Sequence, residues 1–533
     1  MIYKLERDFN QYERWCCAVR NGFVFAINES REFFIVDSKE VLQRFIASRN
    51  CFLVWGNDVL NFIRKSFGLT PATMNMSILV KKIGYELACC QCGVEQIHVQ
   101  DNYKNDCALE AQNILYIYQN FLKQDVEMMF SISREYKTDF LNTPITELIE
   151  KLPNLEVAYN KPTLRFFYQP PKNLRFHNPV LKKILDDVLS CEFIVQDGKI
   201  THEKLPQTFT LNNIEITIGV GGLHGFSADI NGRSEPNAEL NDYDVTSYYP
   251  SLICYDPVLR EILGERFVRM YNEVRQKRLA IKSSNPALAK ALKLVLNSAT
   301  GKMNYPYSKL YNPQAYVQIT LTGQLYLLMI VDMCLQLDKP ALSLNTDGIT
   351  LVDNETGDAK TIFDYVTSIS GLEFEKTVYT KYYGKDVNNY IAIKPHGIKG
   401  KGCYGYKREI AKASKNLAVN YLVCQMLTKG GSVDDYISDI PLADYCAIAS
   451  CNGTQETIRF YHSKTSDNAL QFKNGRKVPT SICCAIASDF KPLRAIADDI
   501  NYEWYKESAL SLLTTIKPLL ERNYLRLFKN QRI

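Results

Sequence analysis

The feature that most constrains this chain is an Asp-Gly pair set between two apolar, alternating runs. Ala341-Leu-Ser-Leu-Asn345 leads through Thr346 and Asp347 to Gly348, and Ile349-Thr-Leu-Val352 follows. Alternating apolar residues predict two strands, and the Asp-Gly pair predicts an antiparallel hairpin between them. Taken alone, such a pair marks an ordinary turn. Within a larger sheet, it would present the carboxylate of Asp347 on a rigid tip.

A second stretch places an Asp where a strand should end and a helix should begin. It reads Asn241-Asp-Tyr-Asp244-Val-Thr-Ser-Tyr-Tyr249-Pro-Ser251. Thr246 to Pro250 make a crowded entry into a helix, so regular backbone holds Asp244 in a way that suits a metal ligand. The alternative interpretation is a helix-capping segment with an incidental Asp.

Composition narrows the class of protein. The chain has 533 residues, with 46% apolar residues, 23% charged residues and a net charge of +5. These values exclude a disordered or fibrous protein, and the length predicts several domains. The mildly basic balance permits a nucleic-acid partner without requiring one. Basic residues cluster at 275–282, 394–407, 473–477 and 522–532, although each cluster alone is typical of a solvated surface.

Cysteine usage and hydropathy indicate the compartment. Sixteen cysteines occur without a secretory leader, and Cys89-Cys90-Gln-Cys92 lacks the paired spacing of a zinc site. We therefore expect reduced thiols and a cytoplasmic protein. No run is predicted to be long and apolar enough to span a bilayer. The most apolar run, Ile319 to Leu337, contains several polar residues and is predicted to be a buried helix.

The N-terminal part alternates strand-like and helix-like segments. In the order β-β-α-β-α they lie at 23–27, 33–36, 41–47, 51–55 and 58–67. This order predicts a mixed sheet flanked by helices, with further helices at 107–122 and 146–152 closing the unit. The next part, 151–225, is rich in Pro and Asn and is predicted to connect to another sheet. It ends in Gly219-Val-Gly-Gly-Leu-His-Gly225, where glycines allow close backbone approach.

Two helices are predicted at 265–282 and 287–300. The segment between them supplies Asn285 as an N-cap and Pro286 as a first helical residue, and its shortness implies an antiparallel pair. Polar residues recur on each helix at spacings of three and four. They are Arg275, Arg278 and Lys282 on the first helix, and Lys290, Lys293, Asn297 and Gly301 on the second. Two facing cationic stripes suit a polyanion the size of a triphosphate.

Three stretches together resemble the polymerase motifs of family B DNA polymerases. Asp244-Val-Thr-Ser-Tyr-Tyr249-Pro250 resembles the first motif, an Asp followed by Ser-Leu-Tyr-Pro. Lys293-Leu-Val-Leu-Asn297-Ser-Ala-Thr300-Gly301 resembles the second, Lys-x-x-x-Asn-Ser-x-Tyr-Gly. Asn345-Thr-Asp347-Gly348 resembles the third, Asp-Thr-Asp-Ser. Arg278 and Lys282 match the Arg-x-x-x-Lys upstream of the second motif, and the match spans roughly residues 215–405.

The subgroup resembled is viral, similar to the small phage enzymes. Gly219-Val-Gly221-Gly222 resembles their Tyr-x-Gly-Gly linker, and Asn388-Asn-Tyr390 resembles their Lys-x-Tyr primer-strand motif. Asp244 and Lys293 are 49 positions apart, and Asn297 and Asp347 are 50 apart. These gaps leave no room for the insertions of the protein-primed members. We therefore expect an oligonucleotide primer and modest strand displacement.

The resemblance implies an α/β, multidomain right-hand polymerase. The implied domains are an RNase H-like exonuclease-type domain (1–150), a connector (151–225), a palm (226–263 and 301–400), two-helix fingers (264–300) and a thumb (401–533). The implied activity is DNA-directed DNA synthesis on primer–template DNA with dNTPs, in replication of a phage or viral genome. Replisome proteins are further candidate partners, and we expect a monomer that does not bind membranes. The last 130 or so residues are predicted to be mostly helical.

The resemblance also implies the site's chemistry. Two Mg²⁺ ions, replaceable by Mn²⁺, would be held by Asp244, Asp347 and the carbonyl of Val245. Arg278, Lys282 and Lys293 would neutralise the triphosphate. Asn297 and Gly301 would lie under the nascent base pair, and Tyr249 would exclude a ribose 2′-OH. Gly221, Gly222, Tyr390 and Lys399 would contact DNA, with Lys399 in a basic glycine turn (397–402) after a strand at 385–393.

The N-terminal part matches the family's 3′–5′ exonuclease motifs incompletely. Glu6 and Asp8 lie where Asp-x-Glu belongs, with the acids swapped, and Asp106 matches the third motif with its tyrosine displaced by one position. Asn61 replaces the Asp of the second motif, and an amide is a poor ligand for Mg²⁺. We expect the fold to be kept and proofreading to be weak or lost, unless Asp58 supplies the missing charge after a local shift.

Two other functions stay open at this stage. A catalytically silent, DNA-binding scaffold is suggested by Asn345, Thr300 and Asn388, which replace residues usual in the family's motifs. An RNA-making or reverse-transcribing enzyme is the third possibility, and Tyr249 argues against ribonucleotide use.

Overall fold

A computed structural model of the chain describes residues 3–520 with several gaps. The gaps are 6–7, 81–84, 93, 95–102, 153–164, 213, 228–231, 234–237, 338, 340, 355–358, 409–415, 451–456, 466–481 and 487–495. The predicted basic clusters at 473–477 and 522–532 lie outside the described residues. The fold is mixed α/β, as expected, and divides into two compact units. The first comprises Met1–Pro144, Tyr406–Met426 and Gly430–Leu510; the second comprises Ile145–Gly405, Leu427–Lys429 and Ser511–Ile533.

The strands are named in chain order. They are β1 (Tyr3–Lys4), β2 (Arg14–Arg20), β3 (Phe23–Asn28), β4 (Glu32–Ile35), β5 (Cys51–Val54), β6 (Ala72–Asn75), β7 (Arg165–Phe167), β8 (Glu192–Gln196), β9 (Lys199–Thr201), β10 (Gln207–Leu211), β11 (Ile214–Ile218), β12 (His224–Phe226), β13 (Gly232–Arg233), β14 (Ala238–Val245), β15 (Ala341–Asn345), β16 (Gly348–Asn354), β17 (Phe374–Tyr379), β18 (Lys381–Asp386), β19 (Asn389–Lys394), β20 (Gly397–Lys401), β21 (Ala447–Ser450), β22 (Thr457–His462) and β23 (Ile482–Ile486).

The α-helices are named in the same way. They are α1 (Lys39–Ala47), α2 (Asp58–Phe67), α3 (Tyr85–Cys92), α4 (Tyr103–Ile117), α5 (Lys123–Tyr136), α6 (Pro179–Leu189), α7 (Tyr248–Tyr255), α8 (Pro257–Leu263), α9 (Glu265–Ala280), α10 (Pro286–Met303), α11 (Pro313–Gln336), α12 (Ala359–Ser370), α13 (Leu417–Lys429) and α14 (Tyr502–Leu520).

The first unit is built on a mixed six-stranded sheet in the order β1-β4-β3-β2-β5-β6. Strands β2, β3 and β4 are antiparallel, whereas β5 and β6 run parallel to β2. On one face, Trp15 and Cys17 of β2 pack with Leu42 and Phe45 of α1. On the other face, Arg20 of β2 pairs with a glutamate of α4 at 2.8 Å. The predicted β-β-α-β-α order and flanking helices are confirmed, while the segment expected as a helix at 146–152 is a 3₁₀ helix, Ile145–Lys151, of the second unit.

The second unit is built on a seven-stranded sheet in the order β10-β11-β12-β15-β16-β14-β17. The predicted hairpin is confirmed as β15 and β16, in which Asn345 pairs with Gly348. On one face, Tyr243 of β14 stacks on Phe363 of α12, with ring centroids 3.8 Å apart. On the other face, Leu240 of β14 packs with aromatic residues of a four-stranded sheet, β13-β18-β19-β20. The strand that carries Asp244 is therefore covered on both faces.

Helix α11 crosses the core of this unit, which confirms the predicted buried helix. It has 24 residues, and its most apolar 18-residue window has a mean hydropathy of 1.4, so by length and composition it could cross a membrane, contrary to the expectation from sequence. However, 94% of its most apolar window is buried in the protein. Its polar side chains bind backbone: Gln318 bonds to Gln169 and Gln324 to Gly219, each through both amide atoms. These pairs satisfy polar groups that burial would otherwise penalise.

Three regions differ from expectation. The predicted connector contains α6 and a small sheet, β7-β8-β9, and its end supplies β10, β11 and β12 to the seven-stranded sheet. The predicted basic turn at 397–402 is mostly strand β20, paired antiparallel with β19. The C-terminal part, expected to be mostly helical, also holds the antiparallel sheet β21-β22-β23. No disulfide joins the cysteines in the described part of the chain.

Candidate active site

The end of β14 and the tip of the hairpin meet at one place. Asp244 lies opposite Gly348 in the β14–β16 pairing, and the N–H of Val245 donates to the carbonyl of Asp347 at 2.7 Å. A Cβ at position 348 would lie 2.3 Å from Oδ1 of Asp244, so the glycine lets that carboxylate lie against the hairpin tip. The structure thus brings together the two acids predicted from sequence, although they are far apart along the chain.

The electrostatics confirm that these carboxylates sense each other. The pKa of Asp244 is raised to about 6, first by burial and then by the charges of Asp242 and Asp347, while Lys399 and Lys401 oppose the shift. Like charges held together favour protonation unless a cation joins them. Carboxylate and backbone carbonyl oxygens are hard ligands that suit Mg²⁺. Among the described residues, no cluster of three or more His, Cys, Asp or Glu side chains forms a metal site. Asp244 and Asp347 offer hard carboxylate oxygens of the kind that Mg²⁺ prefers, and their role as its ligands, with the Val245 carbonyl, stays a prediction.

A third carboxylate, Asp242, lies behind the pair and was missed in the sequence analysis. It lies on the same strand face as Asp244, is only 4% exposed, and accepts a hydrogen bond from Thr350 Oγ1 at 2.8 Å. Its other oxygen accepts from the hydroxyl of Tyr379, and Lys399 Nζ lies 3.8 Å away. Both oxygens are engaged, so Asp242 acts as a support for its neighbours. The alternation of Asp242 and Asp244 along one strand was the available signal.

Asn345 and the glycine segment both contact the turn that carries Asp347. The side-chain oxygen of Asn345 accepts a hydrogen bond from the N–H of Asp347 at 3.0 Å. The side-chain amide of Asn345, which replaces the usual acid of the third motif, therefore holds the turn in place. A Cβ at Gly222 would lie 3.0 Å from Thr346 Oγ1, so the glycine segment reaches the same turn. Gly221 beside it is exposed.

The entry into α7 brings other predicted residues to the site. Ser247 adopts a left-handed conformation with φ of 52°, and its hydroxyl oxygen accepts a hydrogen bond from Arg278 of α9. Tyr249 is half-buried and stacks on Tyr248, with ring centroids 5.7 Å apart. Burial raises the pKa of Tyr249, and the charge of Asp347 adds to the shift. Tyr249 therefore lies within electrostatic reach of the hairpin tip.

Helices α9 and α10 form the predicted pair. Tyr271 of α9 donates to the backbone carbonyl of Leu296 in α10 at 2.8 Å, and the N-cap at Asn285 is confirmed. Lys282 lies exposed just after α9, and Lys293, Asn297 and Gly301 are exposed on α10.

The stripe predicted on α9 needs correction at Arg278, which is 7% exposed and bonded to Ser247, and above all at Arg275. This residue is 1% exposed and donates to Ser251 and Tyr255, each at 3.2 Å. It braces α9 against α7 and does not face solvent, because the α9 face that it occupies is packed against α7.

The four-stranded sheet carries the predicted Tyr390 and Lys399. The Tyr390 side chain is 4% exposed and stacks on Tyr382 at 5.1 Å between ring centroids. Lys399 and Lys401 each place Nζ 5.6 Å from the centre of the Tyr390 ring. Lys399 keeps 37% of its side chain exposed, so the lysines are the groups of this sheet accessible to a ligand.

The structure does not gather the predicted exonuclease residues. Asp8 pairs with Arg44 of α1 at 3.1 Å, on one face of the six-stranded sheet. Asp106 lies in α4, which packs against the other face. Glu6 lies outside the described residues. The middle of β2, a strand inside this sheet, carries Cys16, Cys17 and Ala18. All three are buried, and none of them offers a carboxylate.

Comparisons with known proteins add a distant likeness. No family model and no curated protein matches the chain. Among solved structures, it is similar to the family B DNA polymerase from the hyperthermophilic archaeon Pyrobaculum calidifontis, with 10% sequence identity and a TM-score of 0.45. The match covers 95% of this chain and 77% of that chain. At this level of similarity, the likeness does not establish membership of a family.

Proposed function

We propose that the chain is a DNA-directed DNA polymerase of the family B type that extends a primer 3′-OH with dNTPs. The observation that carries the proposal is the junction of Asp244 and Asp347 across paired strands, tied by the 2.7 Å bond from Val245 to Asp347. The order of the surrounding motifs, with their spacing of 49 and 50 positions, supports it.

Asp244, Asp347 and the Val245 carbonyl would hold two Mg²⁺ ions. When bound, such ions make the primer hydroxyl more acidic and neutralise charge on the triphosphate. The chain's own residues would orient the nucleotide. Lys293 and Lys282 offer exposed cations to the phosphates, and Arg278, which is 7% exposed and bonded to Ser247, would join them on leaving Ser247. Tyr249 borders the sugar, and Asn297 with Gly301 borders the base.

DNA would be held by the lysines of β20 and by the glycine segment. Lys399 and Lys401 supply positive charge on the face of the sheet that covers Asp244, which suits a phosphate backbone. Gly221 and Gly222 leave backbone amides accessible beside the hairpin. In this proposal 226–263 with 301–400 is the palm, 264–300 the fingers, 401–533 the thumb and 1–150 an exonuclease-like domain. We further propose a monomeric phage or viral enzyme of the host cytoplasm, using an oligonucleotide primer.

The test is extension of a labelled primer on a template with Mg²⁺, with and without dNTPs. The proposal predicts dNTP-dependent lengthening that stops when a chelator removes the metal. A lack of incorporation with both Mg²⁺ and Mn²⁺, while DNA is bound, would instead support the alternative of a catalytically silent, DNA-binding scaffold. The observation that favours this alternative is the amide at Asn345, which bonds to Asp347 in the turn.

A further inference from the structure

Two exposed tyrosines follow the C-terminus of α10. Tyr305 exposes 48% of its surface and Tyr307 exposes 87%. Their ring centroids are 5.5 Å apart, with the planes inclined by 65°. The function proposed above uses neither residue. Exposed aromatic pairs are unfavourable in water and mark binding surfaces when the backbone holds them in place.

The loop that carries these tyrosines is firmly held. The N–H of Ser308 donates to the carbonyl of Tyr305 at 2.9 Å, and the N–H of Asn312 donates to Met303 at 2.9 Å. The hydroxyl of Ser308 donates to Glu150. Pro306, between the two tyrosines, packs against Gly198, where a Cβ would lie 2.5 Å from its ring. The rings are thus presented by fixed backbone, which lowers the entropic cost of binding a ligand.

Cations accompany the rings. Lys302 Nζ lies 5.3 Å from the centre of the Tyr305 ring, where Glu150 pairs with it at 3.7 Å and 15% of its side chain is exposed. Lys309 is exposed two residues after Tyr307. Aromatic faces beside lysines are the combination that binds single-stranded nucleic acid, because bases stack on rings while ammonium groups neutralise phosphates. A protein partner would need a larger continuous apolar patch than two rings.

The position of the pair indicates which strand it would meet. Lys293, Asn297 and Gly301 recur every four residues on one exposed face of α10, and Tyr305 lies just beyond the C-terminus toward which this row runs. If the triphosphate lies at Lys293 and its base between Asn297 and Gly301, the templating base lies further in the same direction. Asn297 and Met303, the last residue of α10, are six residues apart, or about 9 Å along the helix axis, and Tyr305 follows two residues later. Unpaired template ahead of the nascent pair would therefore reach the rings.

We propose that Tyr305 and Tyr307 form a stacking site for the unpaired 5′ part of the template strand. This proposal rests on the polymerase function proposed above and names where that enzyme holds the template before it is copied. Lys309 contributes phosphate neutralisation, and Tyr307 supplies the more accessible ring face.

The test is equilibrium binding of the full chain to two hairpin primer–templates, one blunt and one with a 5′ overhang of about ten thymidines. Tyr305→Ala/Tyr307→Ala should weaken binding of the overhang substrate about tenfold and leave the blunt substrate unchanged. Tyr307→Phe should keep most of the affinity, since it keeps the ring. Tyr365→Ala is the matched control, because Tyr365 is 49% exposed on α12, and it should change neither affinity. Lys309→Gln should reduce the salt dependence of overhang binding by about one phosphate contact.

Equal affinities of wild type and the double variant for the overhang substrate would overturn the proposal, as would equal losses on both substrates. Photocrosslinking gives a second measurement that does not depend on the variants. 5-Iodouracil placed in the overhang should crosslink to the peptide that contains Tyr305 and Tyr307, and crosslinking elsewhere only would contradict the site. Binding needs no catalysis, so the two proposals fail separately. If the tyrosines bind the overhang but no nucleotide is incorporated, the polymerase function is contradicted and the stacking site is supported. If nucleotides are incorporated but the tyrosines do not bind the overhang, the stacking site is contradicted and the polymerase function is supported.

Discussion

Val245 donates its backbone N–H to the carbonyl of Asp347 at 2.7 Å, and this bond joins two strands whose acids are about a hundred positions apart in sequence. The bond sets the carboxylate of Asp244, just before it, beside the hairpin tip. A shift of one residue in the pairing of these strands would separate the two acids, because successive side chains in a strand point to opposite faces. The site therefore depends on register, and the predictions below test its separate parts.

The pKa of Asp244 predicts a stability effect with a definite sign. Burial, then Asp242 and Asp347, raise this pKa from 3.8 to about 6. Between pH 3.8 and about pH 6, the carboxyl of Asp244 binds a proton more tightly in the metal-free folded state than in the unfolded chain. The free energy of unfolding therefore falls as pH rises through this range, and the whole loss remains above about pH 6. Asp244→Asn removes the penalty. It should stabilise the chelator-treated protein at pH 7.5 by about 1 kcal/mol once solvent screening is taken into account.

Urea unfolding of wild type and Asp244→Asn at pH 7.5 and pH 4.5 checks this. The stability difference should shrink at the lower pH, where the wild-type carboxyl is mostly protonated. A difference that is equal at both pH values, or a less stable variant at pH 7.5, would contradict the assigned electrostatics.

Asp242→Asn tests the supporting carboxylate. The variant keeps the side-chain shape but weakens the bonds from Thr350 and Tyr379, so it should cost about 1–3 kcal/mol in urea unfolding. It also removes one of the charges that raise the pKa of Asp244. The acid limb of the pH–activity profile should therefore shift to lower pH. Thr350→Val is the control, since it removes one of these bonds and leaves the charge; an equal shift of the profile in that variant would count against Asp242.

Tyr249→Ala tests sugar selection. The half-buried ring lies near Asp347 and would occupy the space of a ribose 2′-OH. Its removal should lower the ratio of kcat/KM for dNTPs to that for NTPs by at least about tenfold. Tyr365→Ala serves as the control for loss of a tyrosine at a distance from the site. An unchanged ratio would remove Tyr249 from this role and reopen the question of an RNA-making enzyme.

The first unit should not shorten DNA. Asp8 and Asp106 lie against opposite faces of its sheet, and Cys16, Cys17 and Ala18 occupy the middle of its central strand. A labelled primer incubated with Mg²⁺ and no dNTPs should therefore keep its length over the time needed for full extension. Stepwise 3′ shortening that Asp106→Asn abolishes, and that Asp364→Asn does not, would show that an exonuclease site forms after all.

The local signals in the sequence were the reliable ones. The hairpin and the Asn285 cap are specified by neighbouring residues, so both were predictable and both are confirmed. Strand β2 was missed because its sequence, RWCCAVR, is buried on both sides in the middle of the sheet and shows no clean alternation. The sequence also did not indicate which face of α9 packs against α7, so Arg275 was predicted to lie in a cationic stripe. Asp242 has its role because Tyr379 and Lys399 contact it, and both residues lie on strands much later in the sequence.

Primer extension by Asp347→Asn, beside Asp364→Asn, tests the central claim most directly. Asp364 is an exposed aspartate that pairs with Lys360 on α12, so its substitution controls for the loss of one carboxylate. Residues that only support a metal ligand cost about 10- to 100-fold when replaced, so loss of the ligand itself should reduce extension by more than about a hundredfold. Asp364→Asn should extend like wild type, and Asp347→Asn should fold and bind primer–template DNA normally. Extension by a folded Asp347→Asn at the wild-type rate would contradict the account.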